Sequence, residues 1–310
     1  MGVSRRGFLK RAGGVAAAVV LPQWAWADPL GLPLGIQLYV VRPDIAADAP
    51  KALKEIAAIG YKEVETAGFG SLKSAKEFRK AMDDAGLKCP SAHLSFDLSD
   101  LQKTFDDAND LGCQYATASV ARMMILPKAD PSMTSAQQRA AIGNMMAPMQ
   151  LDDLKKLADA MNTVGSAAKK NGLLFASHNH TEQFASIDGK TGLDYLITHT
   201  DPQTVKFEID CGWMVVAGFQ PGDFVKRYPG RVTMLHIKDF LPYPKGASTG
   251  GPVRPEGSEI GKGVVDYKKI FADVKGGGIK HIFVEQEGPY SRMPPMEAAK
   301  VDYAYLHSLA

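Results

Sequence analysis

The 310-residue chain is 45% hydrophobic and 23% charged, the balance of an ordinary globular domain and not of a disordered or fibrous one. Its formal net charge of +2 carries no basic surface signature, so a nucleic-acid partner is not expected. Cys89, Cys113 and Cys211 are odd in number and lack a tight pair spacing, so they are expected as buried thiols and not as a disulfide or zinc set.

The chain opens on Ser4-Arg5-Arg6-Gly7-Phe8-Leu9-Lys10, followed by an apolar run from Val15 to Leu21 and the small-residue triplet Ala25-Trp26-Ala27. Charged region, apolar region and small-residue site stand in the order of an export signal. The paired arginines followed by Phe-Leu-Lys resemble the twin-arginine signal of bacteria, an address read by a receptor. The expectation is a signal peptide over residues 1–27, a mature domain over 28–310, and a periplasmic or otherwise exported location. A basic amphipathic first helix is the competing reading. Removing residues 1–27 takes away Arg5, Arg6, Lys10 and Arg11 and no acid, which leaves 32 basic against 34 acidic residues, a charge of −2. No later stretch approaches the roughly 18 unbroken apolar residues of a membrane span, so no membrane association is expected after signal removal.

From Leu34 onward short apolar runs alternate with helical patterns. Strands are predicted at Leu34–Tyr39, Lys62–Ala67, Leu87–His93, Tyr115–Ser119, Leu173–Asn179, Val205–Asp210, Val232–Ile237 and His281–Gln286. Between them, apolar residues at three- and four-residue steps end at Gly60, Gly112 and Gly172, as amphipathic helices do. The last full unit has Asp266 as helix cap, an apolar face of Tyr267, Ile270, Phe271 and Val274, and the stop Gly276-Gly277-Gly278. A closing helix is expected from about Pro295 to Leu309. Eight such repeats fit an α/β fold made of a single (β/α)₈ TIM barrel. A doubly wound sheet fits less well, because it usually needs fewer strands and the glycine-rich phosphate loop is missing. Two connections are longer than a compact barrel requires. One, from Val120 to Met149, is rich in methionine; the other, from Asp239 to Val265, is rich in proline and glycine. Both follow strands, so both belong to the catalytic face, as lids over a small ligand, as a contact in a homo-oligomer, or as surface elaboration.

Three predicted strands end on metal-ligand chemistry: Ile209-Asp210, Leu235-His236 and Val284-Glu285. Closing a barrel brings consecutive strand ends together on one rim, where barrels of this kind carry their active sites. Two carboxylates and an imidazole suit one divalent ion, whether Mn, Mg, Co, Fe or Zn. A fourth ligand is expected from Ser177-His178-Asn179-His180-Thr181-Glu182. His178 is preferred, and His180 and Glu182 are alternatives that otherwise serve substrate or proton transfer.

His178-Asn179-His180, Ile209-Asp210-Cys211-Gly212, Leu235-His236-Ile237-Lys238-Asp239, Gly263-Val264-Val265-Asp266-Tyr267 and Val284-Glu285-Gln286-Glu287 together resemble the sugar phosphate isomerase/epimerase group of xylose isomerase-like TIM barrels. The resemblance spans the mature chain and implies one divalent ion on four strand-end ligands, usually Glu, Asp, His and Glu. The last three fall on Asp210, His236 and Glu285, whereas the first glutamate is replaced by histidine. The implied activity is a metal-dependent sugar isomerase or epimerase that removes a proton next to a carbonyl through a stabilised enediolate. Loss of one glutamate of the usual pair shifts weight to the alternative, an inosose dehydratase-like lyase or hydratase on a keto-sugar or 3-keto-glycoside. A noncatalytic sugar-binding barrel and a repair nuclease of the endonuclease IV type are weaker alternatives. Glu285 is expected as base or bridging ligand, with His180 and Glu182 as further catalytic candidates and Glu287 as a solvated carboxylate. His93, Glu65, Trp213 and Lys238 are expected around the substrate, with Gln37 and Tyr39 as minor candidates. Packed histidine, strand-end salt bridge, core aromatic and a Lys238–Asp239 ion pair are their respective structural alternatives.

Overall fold

The computed structural model describes residues 29–126, 133–134, 137, 145, 147–249, 251, 253–287 and 292–309. The export segment 1–27, Met146 and Pro252 lie outside the described residues. Among the described residues, eight parallel strands close on one another in chain order: β1 (Leu34–Gln37), β2 (Glu63–Thr66), β3 (Lys88–His93), β4 (Tyr115–Ala118), β5 (Leu174–His178), β6 (Val205–Asp210), β7 (Val232–Ile237) and β8 (His281–Val284). β8 closes the ring on β1 through Leu34↔Ile282 and Ile36↔Val284. The fold is therefore the single α/β TIM barrel expected from the strand count.

Helices wrap the outside: α1 (Arg42–Ile59), α2 (Ala75–Ala85), α3 (Gln102–Leu111), α4 (Leu151–Lys170), α5 (Gly192–Thr198), α6 (Cys211–Val216), α7 (Pro221–Arg227), α8 (Tyr267–Val274) and α9 (Pro295–His307). Their apolar stripes and the outward-facing strand residues, such as Ile36, Val64, Phe207, Ile209, Leu235 and Ile282, form one core of fully buried side chains. Local chemistry sets the boundaries. The Asp266 carboxylate accepts from Lys269 N at 3.0 Å and caps α8. Gly112 ends α3 at φ 81°, a left-handed conformation a β-carbon would strain. None of the described helices is long and apolar enough to cross a membrane.

Alternate residues of each strand point into the barrel. A lower plug of Tyr115, Ala176, Met234 and Phe283 fills the interior with apolar groups. Two residues on along β7 comes His236, and two further comes Lys238; β6 repeats the pattern with Glu208 and then Asp210. The barrel therefore passes from an apolar plug to a buried ionisable layer to a rim. Register aligns these layers, since Asp210 pairs with His236 and His178 with Glu208.

Candidate metal centre and active site

The rim is assembled at four adjacent strand ends. His178 closes β5 and Asp210 closes β6, while His236 is the penultimate residue of β7. Glu285 follows β8 directly, and its N–H still donates to Ile237 O at 3.0 Å, so the ladder carries it to the rim. His178, Asp210, His236 and Glu285 are all buried and each offers a ligand atom within 4.8 Å of the other three. His178 Nε2 lies 3.7 Å from Asp210 Oδ2 and 4.0 Å from Glu285 Oε2, and His236 Nδ1 lies 2.9 Å from Glu285 Oε2. These are the four residues named from sequence as candidate ligands, brought together with His178 in the fourth corner.

The donor chemistry fits a divalent ion. Two imidazole nitrogens and two carboxylates form the mixed set that such ions take. Asp210 Oδ2 is buried and accepts no hydrogen bond, although Lys238 Nζ stands 2.9 Å away. An acceptor left open in a protein interior is costly unless something else meets it. Asp210 Oδ1 is committed elsewhere, capping α6 through Trp213 N at 2.8 Å. Asn179, between the two histidines, accepts from Asp210 N at 3.0 Å and fixes that strand end. Gly212 permits α6 to start against β7, since a β-carbon there would sit 2.6 Å from Lys238 O.

Lys238 is fully buried and is the hub of the charges. Its Nζ lies 2.9 Å from Asp210, 2.8 Å from Glu285 and 2.5 Å from Glu287. Burial opposes its charge, but these three carboxylates outweigh burial and raise its pKa well above that of an ordinary lysine. Burial likewise opposes ionisation of Glu285, and Lys238 followed by His236 overcomes it, so Glu285 titrates well below the usual carboxylate range. For Asp210 burial prevails over Lys238 and His178, and its pKa is raised. Glu287 accepts from Lys238 and is paired with Arg254 of the long loop; it is a member of the cluster and not a solvated carboxylate.

Lys238 does not use Asp239 as an ion-pair partner. Asp239 turns to the loop and accepts from Phe240 N at 2.8 Å and from Gly261, Gly263 and Val265 N at 3.0 Å each, so it shapes the connection after β7. That connection is tied to the one after β5 by Thr181 and Thr249, whose hydroxyls are 2.8 Å apart.

The candidates for substrate contact divide. His93 and Glu65 lie beneath the rim: His93 Nε2 is 3.0 Å from Glu65 and 2.9 Å from Glu208, and Gln37 Nε2 is 3.0 Å from His93 Nδ1. Glu65 is fully buried and also accepts from Ser91 and, at 2.7 Å, from His236 Nε2. Trp213 is 0% exposed, covered by Phe240 at 4.6 Å between ring centroids and by the cations of Lys238 and Arg254 at 5.2 and 5.3 Å. Its rings pack the floor of the site and offer no open face for stacking. Tyr39 is exposed in the turn between β1 and α1.

His180 is partly exposed and stands beside His178, with ring centroids 4.9 Å apart, while its Nδ1 is buried and unpartnered. Desolvation, His178 and Lys238 hold it well below the usual histidine pKa, so it is a neutral imidazole. Glu182 falls in a short 3₁₀ turn, Thr181–Phe184, where burial pushes its pKa up to about 7 against the pull of Arg122. Glu208 is the residue that sequence reading passed over. It sits two positions before Asp210, fully buried, with one carboxylate oxygen among His93, His178 and His236. The signal was an acid inside an apolar strand at an inward-facing position.

A closed parallel barrel with one carboxylate- and imidazole-lined rim defines a class of small-molecule enzyme scaffolds. The profile of the xylose isomerase-like TIM barrel matches residues 53–309, and the chain belongs to that family. It is 24% identical over 273 residues to an inosose dehydratase of Lacticaseibacillus casei, across 83% of this chain and 88% of that one. Among solved structures it is similar to a sugar phosphate isomerase/epimerase from Parabacteroides distasonis ATCC 8503, with a TM-score of 0.68 and 24% identity over 89% of this chain and 94% of that one. An L-ribulose 3-epimerase superposes with a TM-score of 0.62 at 14% identity, over 90% and 94%.

Proposed function

We propose that the protein is a divalent-metal-dependent enzyme that removes a proton from the carbon next to a carbonyl of a sugar-like ketone. The observation that carries this reading is the convergence of His178, Asp210, His236 and Glu285 at the barrel mouth beside a neutral His180. These four residues would hold the ion, which as a Lewis acid supports negative charge developing on the substrate oxygens. Glu285, kept ionised by Lys238 and His236, is an acceptor for the proton. His180, with Nδ1 unpaired, is a second proton carrier able to donate to a departing hydroxyl once protonated. The Lys238 ammonium offsets charge on the same side of the site.

Elimination of water is the preferred outcome. The strand-five glutamate of the usual epimerase pair is replaced by histidine here, and inosose dehydratase is the name of the Lacticaseibacillus relative. Isomerisation or epimerisation is the second reading, supported by the presence of two distinct proton carriers, Glu285 and His180. The twin-arginine segment is the basis for proposing that the enzyme works outside the cytoplasm on an unphosphorylated ketone. Full-length chain found in the cytoplasm, with its location unchanged on replacing Arg5-Arg6 by Lys-Lys, would count against that location.

The test is incubation of metal-loaded protein with keto-sugars, keto-cyclitols and 3-keto-glycosides in D₂O, followed by NMR. Deuterium at the carbon next to the carbonyl without loss of water indicates isomerisation or epimerisation, and an unsaturated product indicates elimination. Absence of both across the panel refutes the proposal. His180→Gln is expected to lower turnover about 10²–10⁴-fold with metal content unchanged; full turnover in that variant removes His180 from the chemistry.

A further inference from the structure

The rim residues rest on a second set of charges whose role is not explained by metal ligation alone. Glu208 Oε2 is 3.2 Å from His178 Nδ1, 3.1 Å from His236 Nε2 and 2.9 Å from His93 Nε2. A carboxylate only accepts, so each ring nitrogen facing it carries the hydrogen. In His178 and His236 the opposite nitrogen is the one turned to the rim, toward Asp210 and Glu285 at 3.7 Å and 2.9 Å respectively; His236 Nδ1, also facing a carboxylate, carries a hydrogen in the metal-free protein that an ion would replace. The two histidines reach the rim through different atoms, His178 by Nε2 and His236 by Nδ1, because one buried oxygen captures the other nitrogen of both.

We propose that Glu208 is a positioning residue that fixes the tautomer and ring orientation of the two histidine ligands, resting on the metal centre read above. Carboxylates that hold the outer N–H of a ligating histidine orient the ring and raise its basicity, and their loss typically weakens metal binding about 10–100-fold. The two rings depend on Glu208 unequally. His236 Nε2 has a second acceptor, Glu65, at 2.7 Å, whereas Glu208 is the carboxylate at hydrogen-bond distance from His178 Nδ1. Glu208 therefore controls His178 above all.

His93, His178, Glu208 and His236 also lie close enough together to hold an ion themselves. An ion there and another at the rim would share His178 and His236. Each ring would then bind through both nitrogens and have to surrender its remaining N–H proton. Position along the strands separates the two sets as well: Glu208 lies two residues before Asp210, which ends β6, while Glu285 follows the last residue of β8 at the mouth. The rim set takes the ion and the lower set takes the N–H hydrogens.

The test uses Zn²⁺-loaded protein carrying ¹⁵N-labelled histidine, with ring tautomers read by long-range ¹H–¹⁵N correlation and Zn²⁺ affinity by chelator competition. The wild type should bind one ion, with hydrogen on Nδ1 of His178 and on Nε2 of His236. In Glu208→Gln, which can present either an acceptor or a donor, His178 should lose its single tautomer while His236 keeps its own through Glu65. Zn²⁺ affinity should fall 10–100-fold. Glu208→Asp, retaining the acceptor, should recover the His178 tautomer at least in part. Wild-type affinity and tautomers in Glu208→Gln, alongside Zn²⁺ loss in Asp210→Ala, overturn the role of Glu208 and leave the metal centre standing. Undiminished Zn²⁺ in Asp210→Ala and His236→Ala overturns the centre itself. Two ions per wild-type chain, one of them lost in Glu208→Gln, makes Glu208 a ligand and also overturns the proposal.

Discussion

Replacing Lys238 by methionine tests the electrostatics of the rim most directly. The ammonium is fully buried and lies 2.9, 2.8 and 2.5 Å from Asp210, Glu285 and Glu287. Methionine approximates the volume of the stem, so the change removes the charge and little packing. Removing one partner of a buried ion pair costs about 3–5 kcal/mol, because the other partner is left uncompensated. Here three carboxylates lose a shared cation, which puts the expected loss in the upper part of that range for metal-free protein. A divalent ion held by Asp210 and Glu285, as proposed, would supply the missing positive charge, so it should bind the variant more tightly than the wild type. A tenfold gain in affinity would recover about 1.4 kcal/mol of the deficit beyond the wild type's own gain on loading. The assay is urea unfolding of both proteins in EDTA and in saturating Mn²⁺. A deficit of the same size with and without the ion would refute the idea that Lys238 and the ion act on the same carboxylates. A deficit below about 1 kcal/mol in EDTA would refute the burial argument.

Asp302 is a buried carboxyl pushed up to about 8 by desolvation, while its Oδ1 accepts from Ile260 N at 2.7 Å. Because its folded pKa lies above the unfolded value near 3.9, its contribution is fully present below pH 4 and is lost as pH rises toward 8. Asp302→Asn keeps the acceptor and removes the titration, so its stability relative to wild type should climb through that window by on the order of 1 kcal/mol per pH unit; a pH-independent difference in urea unfolding refutes this. Asp239→Ala removes the acceptor of four backbone N–H groups in the connection after β7 and should cost about 2 kcal/mol or more. Hydrogen exchange at Gly261, Gly263 and Val265 should accelerate in that variant, and unaltered protection there would show that the loop holds its shape without Asp239.

The fold was legible because a parallel barrel writes its strands as near-continuous apolar runs at regular spacing. Val205–Asp210 and Val232–Ile237 have the bounds expected from composition alone. The clustering at the rim was legible for a related reason: Asp210, His236 and Glu285 interrupt those runs at the end where barrels do chemistry. What stayed hidden was direction and depth. Trp213 has the same local signature whether it lines a pocket or packs its floor, and only tertiary structure brings Phe240 and the cations of Lys238 and Arg254 around it. His93 and Glu65 also end strands, yet β2 and β3 are on the far side of the ring from β6, and their side chains reach inward beneath the rim. Lys238 and Asp239 are adjacent in sequence and point to opposite sides of the strand, so adjacency suggested a pair that the backbone geometry forbids.

The depth that sequence could not convey bears on the chemistry. Among the described residues, Glu65, Glu208, Asp210 and Glu285 are buried with one lysine, Lys238, while Glu287 and the exposed Arg254 stand at the edge of the cluster. Such a cluster persists only if further positive charge is supplied, by protons on imidazoles or by a metal ion. One oxygen of Glu65 and one of Glu208 face ring N–H groups, while Glu208 Oε1 and Asp210 Oδ2 are buried without a hydrogen-bond partner, and only the latter stands at the strand end. In the metal-free protein His236 answers part of the negative charge: burial resists its own charge, but Glu208, Glu285 and Glu65 raise its pKa well above that of an ordinary histidine. A divalent ion would take over that role while leaving the lower layer unchanged. By this logic the lower layer does more than fill the barrel, since its imidazole N–H groups answer part of the negative charge that Asp210 and Glu285 carry at the strand ends.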